Sequence, residues 1–192
     1  MTFRLGLILT LLGFIHLMPV AGGWDISFSK TVQELFDKGL LRVFFRQVWF
    51  LGRTYFSVLF LIFVAAVNWK YGISAGICFF AAVGLERVIK VTIKRKRPFQ
   101  QSRSIKMLQP VQPEDPSFPS GDCLRIWFIA LLLPELIGHA GFSMEFCILL
   151  GISVTLGRMV MGVHFLTDVL SGTGLGIITA SAVIYLWNFL IF

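Results

Sequence analysis

Long apolar blocks alternate with short polar islands along this chain. Residues 5–20, 55–69, 73–89, 123–136, 146–161 and 169–192 carry few charges, and each approaches the length a helix needs to cross about 30 Å of hydrocarbon. Six blocks predict six membrane-crossing helices, with both chain ends on one side. The polar islands at 90–97, 118–122 and 158–168 then meet on the other side.

The stretches between blocks refine this picture. Residues 1–23 have one early basic residue, Arg4, and end in Ala21-Gly22-Gly23. They read as a first transmembrane helix or a signal-like segment, the uncleaved helix being favoured because a multispanning chain seldom needs a removable signal. Over residues 30–52, Glu34, Lys38, Arg42 and Arg46 recur every fourth position opposite Leu35, Phe36, Val43 and Phe44. That pattern predicts one amphipathic helix lying in the interface, with Trp24 and Trp49 at headgroup level. Lys70-Tyr71-Gly72 reads as a tight connection. Residues 94–119 contain Pro98, Pro110, Pro113, Pro116 and Pro119, which rules out a continuous helix and predicts a polar loop outside the bilayer. The expected fold is a single all-α membrane domain over residues 1–192, with six transmembrane helices and one surface helix.

Composition agrees. Hydrophobic residues make up 56% of the chain and charged ones 14%, against roughly 25% charged in soluble domains. Mean hydropathy is +0.81. The net charge of +7 sits among the spans without a nucleic-acid-binding motif, so nucleic acid is not the expected partner; anionic lipid or an anionic ligand is. Cys78, Cys123 and Cys147 lie in apolar blocks at no metal-binding spacing and read as small packing residues.

The islands carry the chemistry. Glu86 and Lys90 are spaced to pair on one helix face. Lys90 and Arg97, two turns apart, can face the same way if the helix continues; Lys94, Arg95 and Lys96 between them read as a boundary cluster reaching for headgroups. Ser120 is a good N-cap, and with the Gly121 amide it opens a helix whose first N–H groups attract anions. Arg158, His164 and Asp168 form the sharpest set. An aspartate four residues after a histidine can orient the imidazole and leave its other nitrogen free as a nucleophile. Ser171, Gly172, Gly174 and Gly176 permit close helix packing at the start of the last block.

Together these motifs resemble the type 2 phosphatidic acid phosphatase superfamily of membrane lipid phosphatases, related to vanadate haloperoxidases. The family pattern is Lys-x6-Arg-Pro, Pro-Ser-Gly-His and Ser-Arg-x5-His-x3-Asp. Lys90-x6-Arg97-Pro98 matches in full; Pro119-Ser120-Gly121 matches with Asp122 in the place of histidine; Arg158-x5-His164-x3-Asp168 matches with Gly157 in the place of serine. The resemblance implies a haloperoxidase-like bundle and a phosphatase without metal or other cofactor. Its substrate is a lipid phosphate in the bilayer: a polyprenyl diphosphate, lipid A 1-phosphate or phosphatidylglycerophosphate. Lys90, Arg97, Arg158, Ser120 and Gly121 would hold phosphate, His164 would attack phosphorus, and Asp168 would orient it. Asp122 falls where the family has its proton donor. Three readings follow: it serves as that acid, the substrate has a leaving group that needs little protonation, or activity is impaired and the chain is a phosphate-lipid-binding membrane protein; a lipid phosphotransferase is the remaining alternative. His16 and His139 are the other histidines, with His139 expected at the far end of its span. The resemblance also implies a bacterial inner-membrane protein whose site faces the periplasm or exterior. Charge counting points the other way, because Arg4 and Lys70 are the charges left on the opposite side.

Overall fold

The computed structural model describes residues 2–18, 21–138 and 143–191, and all regular structure among them is helical. The first helix, α1 (Thr2–Gly13), rises only about 18 Å before a 3-10 turn at Phe14–Leu17. Met18 is extended and Pro19 follows it in sequence, so the first apolar block makes a shorter helix than expected. Pro19 and Val20, like His139, lie outside the described residues.

The expected amphipathic helix over 30–52 is two helices. α2 (Ala21–Phe36) stops before Lys38, which is extended, and α3 (Gly39–Val48) starts at Gly39 with φ +47°. A left-handed residue breaks the ladder there, and glycine is the residue that adopts it without strain. Arg42 closes the corner, its Nε 2.5 Å from Asp37 Oδ1. A 3-10 turn, Trp49–Gly52, leads into α4 (Thr54–Val67).

α5 (Trp69–Ile93) begins directly after Asn68, whose side chain caps it by accepting the Lys70 N–H at 3.0 Å. Lys70-Tyr71-Gly72 is therefore first-turn helix and not a connection; Asn68 alone makes the turn. α5 ends at Lys94, left-handed at φ 50°. After a short α6 (Pro98–Gln101) the chain is a loop to Ser120, which caps α7 (Gly121–Ile137). α8 (Met144–Val160) and α9 (Leu166–Ile191) complete the bundle.

Among the described residues two stretches are long and apolar enough to cross a membrane, Trp69–Gln101, which is α5 with the short α6, and Leu166–Phe189 within α9; Gly39–Gly52 with Thr54–Val67, bent by 54°, makes a third if the pair is one span. Around α9 the packing is tight. A methyl on Gly6 would lie 2.9 Å from the Gly174 carbonyl oxygen, so α1 and α9 touch backbone to backbone, as the small residues predicted. Phe79, Leu124, Phe128 and Val183 fill the space among α5, α7 and α9. At the other end Gln33 of α2 ties the loop down: its amide donates to Lys106 O (2.8 Å) and Val160 O (2.9 Å), and its oxygen accepts from Lys106 N (2.8 Å).

Candidate active site

The eight residues assigned to the site from the sequence, Lys90, Arg97, Ser120, Gly121, Asp122, Arg158, His164 and Asp168, lie together near the ends of α5, α7, α8 and α9. Lys90, Arg97, Gly121, Asp122, Arg158 and His164 line one cavity of about 370 Å³; Ser120 and Asp168 sit buried behind it. Lys90 and Arg97 arrive by different routes. The helix carrying Lys90 ends at Ile93, and Arg97 returns through extended backbone, so the shared helix face read from their spacing is not what joins them. Asp115 joins them. One oxygen contacts Lys90 Nζ and the other lies 2.8 Å from Arg97 Nη2.

Asp115 opens a line of alternating charge along the cavity wall. Lys90 also pairs with Glu86 at 2.8 Å, as their spacing predicted. Glu86 faces Arg125 at 3.5 Å, Arg125 faces Asp122 at 3.6 Å, and Asp122 Oδ2 reaches Arg158 Nη2 at 2.8 Å. Arg53 and Arg87 add two cations to the lining. Six cations against three carboxylates leave the cavity positive. Burial works to raise the Asp115 carboxyl, but Lys90 and Arg97 overcome it and hold the group well below the usual carboxylate range.

Ser120 caps α7 as expected, accepting the Cys123 N–H at 3.5 Å. Glycine beside it leaves room for two side-chain tips: a methyl on Gly121 would lie 2.5 Å from Glu86 Oε1 and 2.7 Å from Arg125 Nη1, and both would have to shift. Gly52 lets the turn before α4 approach Asp122, whose Cβ would otherwise be 2.7 Å from an added methyl.

His164 lies in the loop between α8 and α9, 2% exposed. Arg97 Nη1 is 3.2 Å from its Nε2. A guanidinium can only donate, so Nε2 is the acceptor and Nδ1 carries the proton. Nδ1 lies 3.5 Å from Asp168 Oδ2, a charge contact longer than a hydrogen bond. Burial pushes His164 down to about 4, with Arg97 and Arg158 acting in the same direction against the pull of Asp168. The ring is therefore neutral at pH 7, and its Nε2 lone pair, which accepts from Arg97, belongs to a residue that lines the cavity. Arg158 is equally buried, and its Nε and Nη1 have no hydrogen-bond partner among the described residues. Buried guanidinium donors without an acceptor are costly; a phosphate oxygen would satisfy them. His16 does not line the cavity. It packs at a tilt of 50° against Phe118, ring centroids 4.3 Å apart.

Asp115, Ser117, Arg95 and Asp25 were not singled out from the sequence. Arg95 was read as reaching for headgroups; it is instead buried, 9% exposed at its side chain, between two carboxylates.

Fold and site together define an integral membrane protein with a cation-lined cavity, partly open, at its helix ends. The chain belongs to the PAP2 superfamily of phosphatases, whose family model matches residues 69–192. An undecaprenyl-diphosphatase of Sulfolobus acidocaldarius is 29% identical over 175 residues, covering 88% of this chain and 84% of the relative. The crystal structure of a transmembrane PAP2-type phosphatidylglycerolphosphate phosphatase from Bacillus subtilis superposes with a TM-score of 0.79 at 24% identity, covering 97% of this chain and 96% of that one. The Aquifex aeolicus LpxE structure matches at 0.64 and 26% identity, over 79% of this chain and 93% of that one.

Proposed function

We propose that this protein hydrolyses a lipid phosphate through a phosphohistidine intermediate, without a metal, and that its substrate is a diphosphate or another phosphate with a good leaving group. The observation that carries the reading is Arg158, buried with two donors unspent beside a neutral His164. In the proposed reaction Lys90, Arg97, Arg158, Ser120 and the Gly121 amide hold the phosphoryl oxygens. Positioning and charge neutralisation are the main demands of phosphoryl transfer. His164 Nε2 bonds to phosphorus as the P–O bond to the lipid breaks, and the Nδ1 proton stays directed at Asp168. Water then attacks the phosphohistidine, releasing phosphate and restoring the ring.

The leaving group is where this chain departs from its family's pattern. Asp122 faces Arg158 and Arg125, so to hold a proton for the leaving oxygen it would have to give up an ion pair. That supports a substrate whose departing group needs little protonation, such as the lipid monophosphate released from a polyprenyl diphosphate, or the anomeric oxygen of lipid A 1-phosphate. Six cations against three carboxylates in the cavity suit an anion bearing two or three charges. The diphosphatase relative supports the same preference; phosphatidylglycerophosphate is the phosphomonoester alternative. The further expectations of this reading are six membrane crossings and a site open to the exterior.

The test is phosphate release by the purified full chain in detergent with EDTA present. The panel is undecaprenyl diphosphate, lipid A, phosphatidylglycerophosphate and phosphatidic acid. The diphosphate should turn over fastest, vanadate should inhibit, and an acid-labile phosphoenzyme should be trapped on His164. Equal phosphate release by wild type and His164→Ala would sink the reading.

A further inference from the structure

A second charge network lies behind the cavity, on the side of Asp168 away from it. Asp168 is fully buried. Its Oδ2 accepts the Phe165 N–H at 2.8 Å and the Ser117 hydroxyl, and faces the His164 ring. Its Oδ1 is 2.5 Å from Arg95 Nη1. The other end of the guanidinium, Nη2, is 2.7 Å from Oδ2 of Asp25, also fully buried, on α2. Thr167 closes the ring, its hydroxyl 2.6 Å from Arg95 Nη1 and 2.5 Å from Asp25 Oδ2. Phe165 supports the face of the guanidinium, 4.1 Å from ring centroid to Cζ. Arg95 is thus fixed at two edges and one face, and neither it nor Asp25 lines the cavity.

We propose that Arg95 and Asp25 are positioning residues: Arg95 fixes the Asp168 carboxylate against His164, and Asp25 of α2 fixes Arg95. The physical reason is twofold. A carboxylate that must hold an imidazole in one orientation needs its own second oxygen held, and a planar fork does this for two carboxylates at once where a lysine reaches only one. The charge count also matters. Two buried carboxylates share one cation, so the network keeps one net negative charge on the far side of the ring. That charge opposes the positive charge which forms on the imidazole as Nε2 bonds to phosphorus. Asp25 supplies it although it touches neither the ring nor the cavity. The charged and titratable groups of this network are Asp25, Arg95, Asp168 and His164, with Arg97 and Arg158 acting on His164 from the cavity side and His16 tilted against Phe118 nearby.

The two partners push the ring in opposite directions, and this separates positioning from mere scaffolding. Loss of Arg95 leaves Asp168 uncompensated and favours imidazolium; loss of Asp25 leaves Arg95 uncompensated and disfavours it. The experiment is NMR titration of histidine-labelled full chain in detergent, with the His164 signal assigned by His164→Gln. Arg95→Gln should raise the His164 midpoint by about one pH unit, Asp25→Asn should lower it, and Arg95→Lys, which keeps the charge but reaches only one carboxylate, should leave the midpoint near wild type while lowering kcat. Shifts in the same direction, or none in either variant, overturn the proposal. Thermal melts check folding; if Arg95→Gln does not fold, the Asp25→Asn and Arg95→Lys titrations decide. A second arm rests on the proposed role of His164: kcat should fall about 10- to 100-fold in Arg95→Gln and Asp25→Asn with KM nearly unchanged. Should wild type release no phosphate from any substrate, the functional reading fails while the titration still decides the positioning role.

Discussion

The backbone N–H of Ser120 donates to the carbonyl oxygen of Asp168 at 3.0 Å. One bond thus joins the start of α7 to the first turn of α9, and with them the proposed phosphate cradle to the carboxylate behind His164. The approach is possible because Gly172, one turn further along α9, has no side chain: a methyl there would run into the Ser120 carbonyl oxygen. Gly172→Ala should therefore cost about 1–3 kcal/mol, the usual penalty for overpacking. It should also lower kcat by displacing Ser120. Thermal melts in detergent, with kinetics on the same preparation, check both effects.

Asp122→Asn removes the carboxylate that holds Arg158 Nη2 at 2.8 Å. If Asp122 orients Arg158, kcat/KM should fall by about tenfold, equivalent to about 1.4 kcal/mol, and by a similar factor on diphosphates and phosphomonoesters alike. Losses graded by leaving group, heaviest on phosphatidic acid, would instead assign Asp122 the proton donation.

Asp115 pairs with both Lys90 and Arg97, so a phosphate held by those two cations would compete with it. Asp115→Asn weakens that competition, and vanadate should inhibit the variant at a several-fold lower concentration than wild type. Inhibition curves for the two proteins, measured side by side, decide it. An unchanged midpoint would mean that Asp115 does not compete.

His164 titrates at about 4 in the folded protein, against 6.5 for an ordinary histidine. A depressed folded-state value means that the unfolded chain takes up its proton first as pH falls. The associated stability is fully present above pH 6.5 and is lost as pH drops toward 4; it amounts to about 3 kcal/mol. The difference in melting temperature between wild type and His164→Gln should therefore shrink steadily from pH 7 to pH 4. Parallel curves would show that the ring is not held neutral.

What the sequence made legible follows the range of the interactions. Glu86 with Lys90 and Ser120 at the head of α7 are local spacings, and both appear in the structure as read. The meeting of Lys90 with Arg97 was foreseen for a different reason, since a left-handed Lys94 ends the helix that was to align them. The surface helix failed at Gly39 because a four-residue charge period does not register one residue of positive φ. Asp25 and Arg95 stand 70 residues apart, and no spacing rule links them. One signal was present: Asp25 sits between Trp24 and Ile26 in a chain with 10 acidic residues, and an acid with apolar neighbours is a group that needs a partner.

The alternating line from Asp115 to Arg158 constrains how such a site can change over evolutionary time. Asp122 brings a negative charge to the position where the family pattern has a neutral or cationic ring, and Arg125, three residues on, faces it from the same helix. Restoring histidine at 122 alone would leave Arg125 and Arg158 each one carboxylate short in a buried wall, where unpaired charge is expensive. Revertants and relatives of this chain are therefore expected to change charge here two residues at a time.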